Sequence, residues 1–342
     1  MDKPRVGLKD VARLAGVSVK TVSNVVNGYV HVTPATRTRV EAAIKELNYR
    51  PNLSARNLRQ GRTGIIALAV PELDIPYFAE LARLVVAAAE KHELTVLIDQ
   101  TGGSREREQL VAEGFRAHLI DGLIFSPLAL TSEELAARVD DTPMVLLGER
   151  VSAGTADHIV VDNVAAAKEA TLHLASLGRR RIAAIGAQDF AAAETSRLRL
   201  AGYLAALEAA GLPSDDRLVV HVEAYHRADG ARAMARLLDS GAAPDAVFCF
   251  NDLMALGALR TLLERGYSVP GQVALAGFDD IEDGRYGTPT LTTISPDKRE
   301  IASRAVEFLA DRMVKGSRVE TREIRVPHEL LIRESTGGQT RS

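Results

Sequence analysis

Residues 8–27 read Leu-Lys-Asp-Val-Ala-Arg-Leu-Ala-Gly-Val-Ser-Val-Lys-Thr-Val-Ser-Asn-Val-Val-Asn, and this stretch decides how the rest of the chain is organised. Leu8, Val11, Ala12 and Ala15 recur at three- and four-residue steps, and after a break Val22, Val25 and Val26 do the same. That is the period of two short amphipathic helices, whose apolar faces can be buried against each other. Gly16 between them tolerates positive φ, Val17 is placed to plug the corner, and Ser18 is a good N-cap for the second helix. The spacing predicts a helix-turn-helix. On the second helix Lys20, Ser23, Asn24 and Asn27 fall at i, i+3, i+4 and i+7 and so share an outward face. Cationic and short hydrogen-bonding side chains of this kind read base edges when a helix lies in the major groove.

Charge is distributed to match. Residues 1–63 hold 12 Lys and Arg against four Asp and Glu, a net of +8, whereas the remainder holds 30 against 41, a net of −11. The chain total of −3 conceals a basic head on an acidic body, the pattern of a polyanion-binding module joined to a soluble domain. The 342 residues suffice for two or three domains, and 46% apolar with 25% charged content is a globular balance. No apolar run approaches the ~18 residues of a membrane span, and no signal-peptide core follows Met1 to Arg5. A cytoplasmic protein without a membrane partner is expected. Cys249 is the only cysteine, which leaves no disulfide framework or cysteine-based zinc site. In the apolar run 246–250 it reads as a small core residue.

Beyond the loop 28–32, Thr33-Pro34 signals a third helix, with Thr33 as N-cap and Pro34 in the first turn. Val40, Ala43, Ile44 and Leu47 form its apolar stripe, and Tyr49 is placed to close a small three-helix core. His31 is a candidate phosphate or base contact, or simply a solvated loop histidine. Residues 53–60 are helix-compatible but only about two turns long, too short to persist alone. Arg56 and Arg59 flanking Leu58 suit a segment that orders on DNA, with the leucine as a wedge in the minor groove; a flexible linker is the alternative. From Gly64 short apolar runs alternate with amphipathic segments. Strands are expected at 64–70, 95–98, 122–125, 144–147, 158–161, 181–185, 218–222, 246–250 and 273–278. Helices are expected at 78–91, 105–116, 164–177, 197–210, 228–238, 253–265 and 297–314. This alternation predicts βαβ crossovers, parallel sheets and two lobes, with ligand at the strand carboxyl ends where the lobes face each other.

Eight motifs then line up along the chain: D-V-A-x-x-A-G-V-S at 10–18, T-V-S-x-V-V-N at 21–27, T-R-x-x-V at 36–40, L-N-Y-x-P-N at 47–52, R-L-A-G-Y at 199–203, N-D-x-M-A-L-G at 251–257, G-F-D-D at 277–280 and P-x-L-T-T-I at 289–294. Through them the sequence resembles the lactose-repressor (LacI/GalR) family of bacterial transcription regulators over essentially its whole length. The resemblance implies a multidomain fold, an all-α helix-turn-helix headpiece joined to an α/β two-lobed core like the periplasmic binding proteins. The implied bounds are 1–51 for the headpiece, 52–62 for a hinge helix, 63–336 for the core and 337–342 for a tail. Within the core the N-lobe takes 63–162 and 294–319, and the C-lobe 163–293 and 320–336. The family's sequence-reading positions fall on Val19, Lys20 and Asn24, and its minor-groove leucine on Leu58. Thr21, Ser23, Asn27, His31 and Arg56 complete the expected DNA contacts. Its effector-binding positions fall on Tyr77, Phe78, Glu149, Asp162, Arg199, Tyr225, Asn251 and Asp279, and Ser126 is counted with them. Arg199 offers a fork donor, Asn251 a mixed amide and Asp279 an acceptor, a set suited to sugar hydroxyls, and the aromatic residues can stack on an apolar ring face. Taken singly, Arg199 reads as a surface helix charge, Asn251 and Asp279 as caps or turn residues, and Tyr225 as core.

The expected partners are double-stranded, pseudo-palindromic operator DNA, a small carbohydrate effector and a second copy of the chain. A repressor released by a sugar is the leading expectation; the alternatives are a corepressor-dependent (purine-type) repressor, an activator, or a soluble sugar-binding protein. The chain carries no G-x-S-x-G, G-x-x-x-x-G-K-[ST], H-E-x-x-H or G-x-G-x-x-G, so no catalytic residue, cofactor or metal is expected. Glu149 and Asp279 favour a neutral hydroxylated ligand over an anion, although Arg150 and Arg199 can offset them. The tail 333–342 has no apolar heptads, which points to a twofold dimer rather than a coiled-coil tetramer.

Overall fold

A computed structural model describes residues 6–26, 29, 31–49, 62–114, 119–149, 154, 156–189, 194–315 and 320–338. The chain divides into two compact units, Met1–Thr63 and Gly64–Ser342. Apart from Arg62, the hinge helix expected at 52–62 lies outside the described residues, as do Asn27, Arg56, Leu58 and Arg150.

The first unit contains α1 (Leu8–Ala15), α2 (Val19–Val26) and α3 (Pro34–Glu46). Each helix start finds a partner for a backbone N–H that the helix itself cannot satisfy. Gly7 N–H donates to the Asp10 carboxylate at 3.0 Å, Thr21 N–H to Ser18 Oγ at 3.1 Å, and Thr36 N–H to Thr33 Oγ1 at 3.4 Å. Gly16 takes φ +63° and lets Val17 N–H reach the Ala12 carbonyl at 3.1 Å, which sets the corner between α1 and α2. The buried centre is Val11, Ala12, Ala15, Val22, Val25, Val40 and Ala43, with Val17 and Tyr49 packed against it.

The second unit contains two sheets. The N-lobe sheet is built from β1 (Ile65–Val70), β2 (Thr95–Gln100), β3 (Gly122–Phe125), β4 (Met144–Leu147), β5 (Asp157–Val161) and β11 (Glu323–Val326), in the order β11-β5-β4-β3-β1-β2, all parallel. The C-lobe sheet is built from β6 (Ile182–Ala187), β7 (Val219–His221), β8 (Ala246–Cys249), β9 (Ala274–Phe278), β10 (Thr292–Pro296) and β12 (His328–Leu331). Its order is β12-β10-β9-β8-β6-β7, parallel except for the edge pair of β10 and β12. Central strands such as β3, β4, β8 and β9 are buried along their whole length, as strands covered on both faces must be. Their covering helices are α4 (Pro76–Glu90), α5 (Arg105–Ala112), α6 (Ser132–Ala136) and α12 (Lys298–Lys315) on the N-lobe, and α7 (Asn163–Ser176), α8 (Glu194–Ala209), α9 (Arg227–Asp239), α10 (Asp252–Glu264) and α11 (Glu282–Arg285) on the C-lobe. Cys249 is fully buried in the C-lobe core, and burial pushes its thiol up from the ordinary value.

The lobes exchange chain at different points from the 294 and 319 expected of the sequence. β10 stays in the C-lobe sheet through Pro296, and β11 returns to the N-lobe sheet before Pro327 leads into β12. Neither β10, β11, β12, α6 nor α11 is anticipated by the hydrophobic pattern. β10 opens on threonines whose hydroxyls are satisfied inside the fold, Thr293 Oγ1 donating to Asp252 at 2.6 Å and Thr292 Oγ1 to the Arg333 carbonyl at 3.2 Å. β11 and β12 are four-residue edge strands with exposed positions, so they lack an apolar run.

Candidate functional site

In both sheets the strand order doubles back, between β1 and β3 and between β6 and β8, and a crevice opens outside the strand carboxyl ends at such a reversal. Residues just past the strands therefore meet between the lobes: Glu72 after β1, Ser126 after β3, Glu149 after β4, Asn163 after β5, Gln188 after β6, Asn251 after β8 and Asp279 after β9. They line a cleft of about 320 Å³. Its N-lobe wall is largely apolar. Tyr77 and Phe78, in the first turn of α4, meet edge to face at 5.2 Å, with Ile75 and Leu128 beside them.

Arg199, on α8, is only 8% exposed, which rules out a free surface charge. Its Nε donates to Asn163 Oδ1 at 2.7 Å, one terminal nitrogen donates to the Phe250 carbonyl, and the other lies 4.0 Å from Asp279 Oδ1. The guanidinium plane rests 3.5 Å from the centre of the Phe278 ring. A buried cation is tolerated only when its donors are met, and here the partners also fix its direction. Burial pushes the Asp279 carboxyl up to about 6; Arg199 and Lys298 pull it down and Glu149 pushes it further up.

Glu149 Oε1 accepts from Val161 N–H at 3.1 Å, and its Oε2 accepts from Thr195 Oγ1 at 3.2 Å, a bond from one lobe to the other. A second tie joins His226 Nε2 of the C-lobe to Glu72 Oε2 of the N-lobe at 3.3 Å. On the C-lobe side Gly186 has φ +130°, and a Cβ there would come within 2.6 Å of Phe250. Its carbonyl accepts from Ser196 Oγ at 2.9 Å and Tyr225 Oη at 2.8 Å. Burial pushes the Tyr225 phenol up to about 12 and raises that of Tyr77 as well. Asn251 is a cap and a cleft residue together: Oδ1 accepts from Met254 N–H at 2.9 Å at the start of α10, while Nδ2 donates to the Tyr225 carbonyl at 2.9 Å.

Of the expected effector positions, Tyr77, Phe78, Ser126, Glu149, Arg199, Tyr225, Asn251 and Asp279 come together in this cleft. Asp162 does not. Its Oδ1 accepts from Ala165 N–H at 2.9 Å as the N-cap of α7, and its Oδ2 lies 3.5 Å from Arg325. The next residue, Asn163, takes the cleft position and binds Arg199. Motifs do not single out Glu72, Asn163 and Gln188, although each follows a strand within two residues, a position that marks candidates without separating Asn163 from Asp162. Thr195, Ser196, His226 and Phe278 carry no such signal; they reach the cleft only through the packing of the C-lobe.

In the headpiece Lys20 is exposed and Val19 is 41% exposed at the start of α2, whereas Thr21, Ser23 and Asn24 are half-buried. The Thr21 hydroxyl lies 2.8 Å from Ser18 Oγ, so this residue also supports the cap. His31 is exposed, and its ring meets Tyr29 edge-on at 5.4 Å. Among the described residues no group of three or more His, Cys, Asp or Glu is placed to hold a metal, and no helix is long and apolar enough to cross a membrane.

Comparison with known proteins covers both units. Residues 7–52 match the family described as bacterial regulatory proteins, lacI family, and residues 171–336 match a periplasmic binding protein-like domain. The ribose operon repressor of Escherichia coli K12 is 36% identical over 311 residues, 90% of this chain and 93% of that protein. A putative LacI-family transcriptional regulator from Sanguibacter keddieii is 49% identical, covering 81% of this chain and all of that one with a TM-score of 0.75. The lac repressor dimer bound to operator and the anti-inducer ONPF is 30% identical, covering 98% of this chain and 99% of that one with a TM-score of 0.82.

Proposed function

The chain belongs to the LacI family of bacterial transcription regulators, and from that premise we propose that it is a cytoplasmic repressor whose homodimer holds a pseudo-palindromic operator until a small neutral carbohydrate occupies the cleft between the lobes. One observation carries the choice of ligand. Arg199, Asn163 and Asp279 form a buried polar cluster in the same cleft as Tyr77 and Phe78, so hydroxyls can be bound at one wall and an apolar ring face at the other. Arg199 is already engaged by Asn163, Phe250 and Asp279, and among the described residues Glu149 accepts from the Val161 N–H and the Thr195 hydroxyl, both neutral. A phosphate brought here meets the Glu149 and Asp279 carboxylates, and among the described residues the Arg199 guanidinium is already engaged, which disfavours phosphosugars.

On the DNA side, Lys20 is suited to guanine O6 and N7, Asn24 to adenine and Val19 to a thymine methyl. Thr21, Ser23, Asn27, His31 and Arg56 supply further contacts, and Leu58 wedges into the minor groove. The operator-bound dimer of the lac repressor and the name of the ribose operon repressor support the same reading. No catalytic role is assigned.

The test selects duplexes from a random pool with the purified chain. Gel shifts on a selected duplex and thermal shifts of the protein are then run against monosaccharides, disaccharides, nucleobases and phosphosugars. An effector at 100 times its Kd adds about 2.7 kcal/mol of stability. Release of the duplex by a neutral sugar is the expected outcome. Tighter binding with a ligand identifies a corepressor instead, and failure to select any duplex overturns the reading.

A further inference from the structure

We propose that Lys298 is a positioning residue of the effector cleft, a buried strut that fixes Asp279 in the C-lobe and the aromatic wall of α4 in the N-lobe at once. The role in effector binding rests on the reading above; the strut itself rests on geometry. Lys298 opens α12, two residues after the chain leaves the C-lobe sheet at Pro296, and it does not line the cleft. It is 5% exposed. Its Nζ donates to the Asp279 carbonyl at 2.8 Å and the Asp280 carbonyl at 3.0 Å, and lies 2.5 Å from Glu80 Oε2 on α4. An ammonium has three N–H donors, so all are committed. The same nitrogen sits 6.0 Å from the centre of the Tyr77 ring.

The carbonyls it holds belong to a backbone that needs holding. Asp279 has φ +110° and Asp280 φ +50°, conformations that residues with a Cβ adopt only where the surroundings over-determine them. One set of restraints is local: Arg285, Arg333 and Ser295 grip the Asp280 carboxylate at 2.6, 2.6 and 3.1 Å. The other is Lys298, and it alone comes from an N-lobe helix. Because α12 packs against α4, the ammonium joins the corner that aims Asp279 into the cleft to the helix that carries Tyr77 and Phe78. Among the described residues the charged and titratable groups around Asp279 are Arg199 on α8, Lys298 on α12, Glu149 after β4, Asp252 on α10, Tyr77 on α4, Tyr225 before α9 and the adjoining Asp280, whose carboxylate is held by Arg285 and Arg333. Lys298 is, with Arg199, one of the two cations that pull Asp279 down, so its removal has a sign: the Asp279 carboxyl must titrate higher.

The experiment uses the full chain without sugar or DNA, so its outcome is independent of the effector's identity. In Lys298→Met, the Asp279 carboxyl, assigned by its disappearance in Asp279→Asn, is followed by carbon-13 NMR against pH. Amide hydrogen exchange is followed in parallel. We expect the Asp279 midpoint to rise by about one pH unit, a tenfold change in proton affinity. Exchange at residues 279–281 and 77–80 should quicken about tenfold while β8 keeps its protection. Lys298→Arg keeps the charge and should restore most of the midpoint. An unchanged midpoint, or exchange that quickens equally throughout the C-lobe, overturns the proposal. If Lys298→Met does not fold, Glu80→Gln carries the test: exchange in the first turn of α4 should quicken and the Asp279 midpoint should fall, and no change in either is a refutation.

Discussion

Lys20 in the headpiece and Arg199 in the core are the two cations to which the proposed function assigns ligand contacts, and their surroundings are opposite. Lys20 stands exposed on α2, whose other face packs in a small three-helix core. Arg199 is buried against Phe278, Asn163, Phe250 and Asp279, with its geometry set before any ligand arrives. A surface reader gains from displaced counterions and direct base contacts, and it adds little to the fold that bears it. A pre-organised cleft is part of the core, so changes to it act on ligand and stability together.

The sharpest way to break this contrast is Arg199→Ala. Emptying the buried guanidinium site, which leaves Asn163 and the Phe250 carbonyl without their donor and Asp279 with Lys298 as its one remaining cation, should cost the core about 3 to 5 kcal/mol in urea unfolding and abolish the sugar response in gel shifts. Binding to a selected duplex should remain, and a normal response would remove Arg199 from the site. Arg199→Lys should not rescue it, since only the planar fork reaches both Asn163 and the Phe250 carbonyl.

The next effect is on pH. The folded Asp279 carboxyl titrates at about 6, above the ordinary value it has when unfolded, so the folded state binds more protons across that interval. Its contribution is complete below the unfolded value and is lost as pH rises through about 6. A gap of about two pH units is worth about 3 kcal/mol. Asp157 and Asp280 act oppositely: burial raises them, but Arg312 with Arg322, and Arg285 with Arg333, bring them below the ordinary value. Their contribution is present above that value and lost in acid. Burial also holds the Asp252 carboxyl well above the ordinary value, so melting temperatures of Asp279→Asn from pH 4 to 8 should show a shallower decline toward pH 6 and keep the acid one.

In the headpiece, Lys20→Ala and Asn24→Ala should each cost about 1 to 3 kcal/mol on a selected duplex and little on random DNA. Equal losses on both duplexes would refute base readout. The smallest effects come from the caps. Asp162→Ala should cost about 1 kcal/mol of core stability and leave the sugar response intact, whereas Ser18→Ala should cost a similar amount in the headpiece and weaken DNA binding. A lost sugar response in Asp162→Ala would restore that residue to the cleft.

The same contrast explains what was legible beforehand. The headpiece could be read from Leu8 to Tyr49 because its helices are defined by local spacing, a cap at Ser18 or Thr33 and a turn at Gly16. The central strands could be read because strands covered on both faces are continuous apolar runs. β10 could not, since its threonines are satisfied by Asp252 and Arg333, which are 41 residues away from them in sequence. The expected effector positions rest mostly on family motifs, and the one-residue difference between Asp162 and Asn163 shows the limit of that route: adjacent polar residues at a helix start divide into a cap and a cleft-lining residue only when the backbone direction is known.

By itself, then, the sequence determined the basic head on an acidic body, which composition alone fixes, and the helix-turn-helix and the run of parallel strands, because each of these depends on residues within a few positions of one another. Only the tertiary structure decided which sheet received β10 and β11, that Asn163 rather than Asp162 faces Arg199, and that Lys298 holds the Asp279 corner. Those outcomes depend on groups brought from distant parts of the chain into a place without water, where an unmet donor or charge is costly and the partner that meets it is chosen by packing.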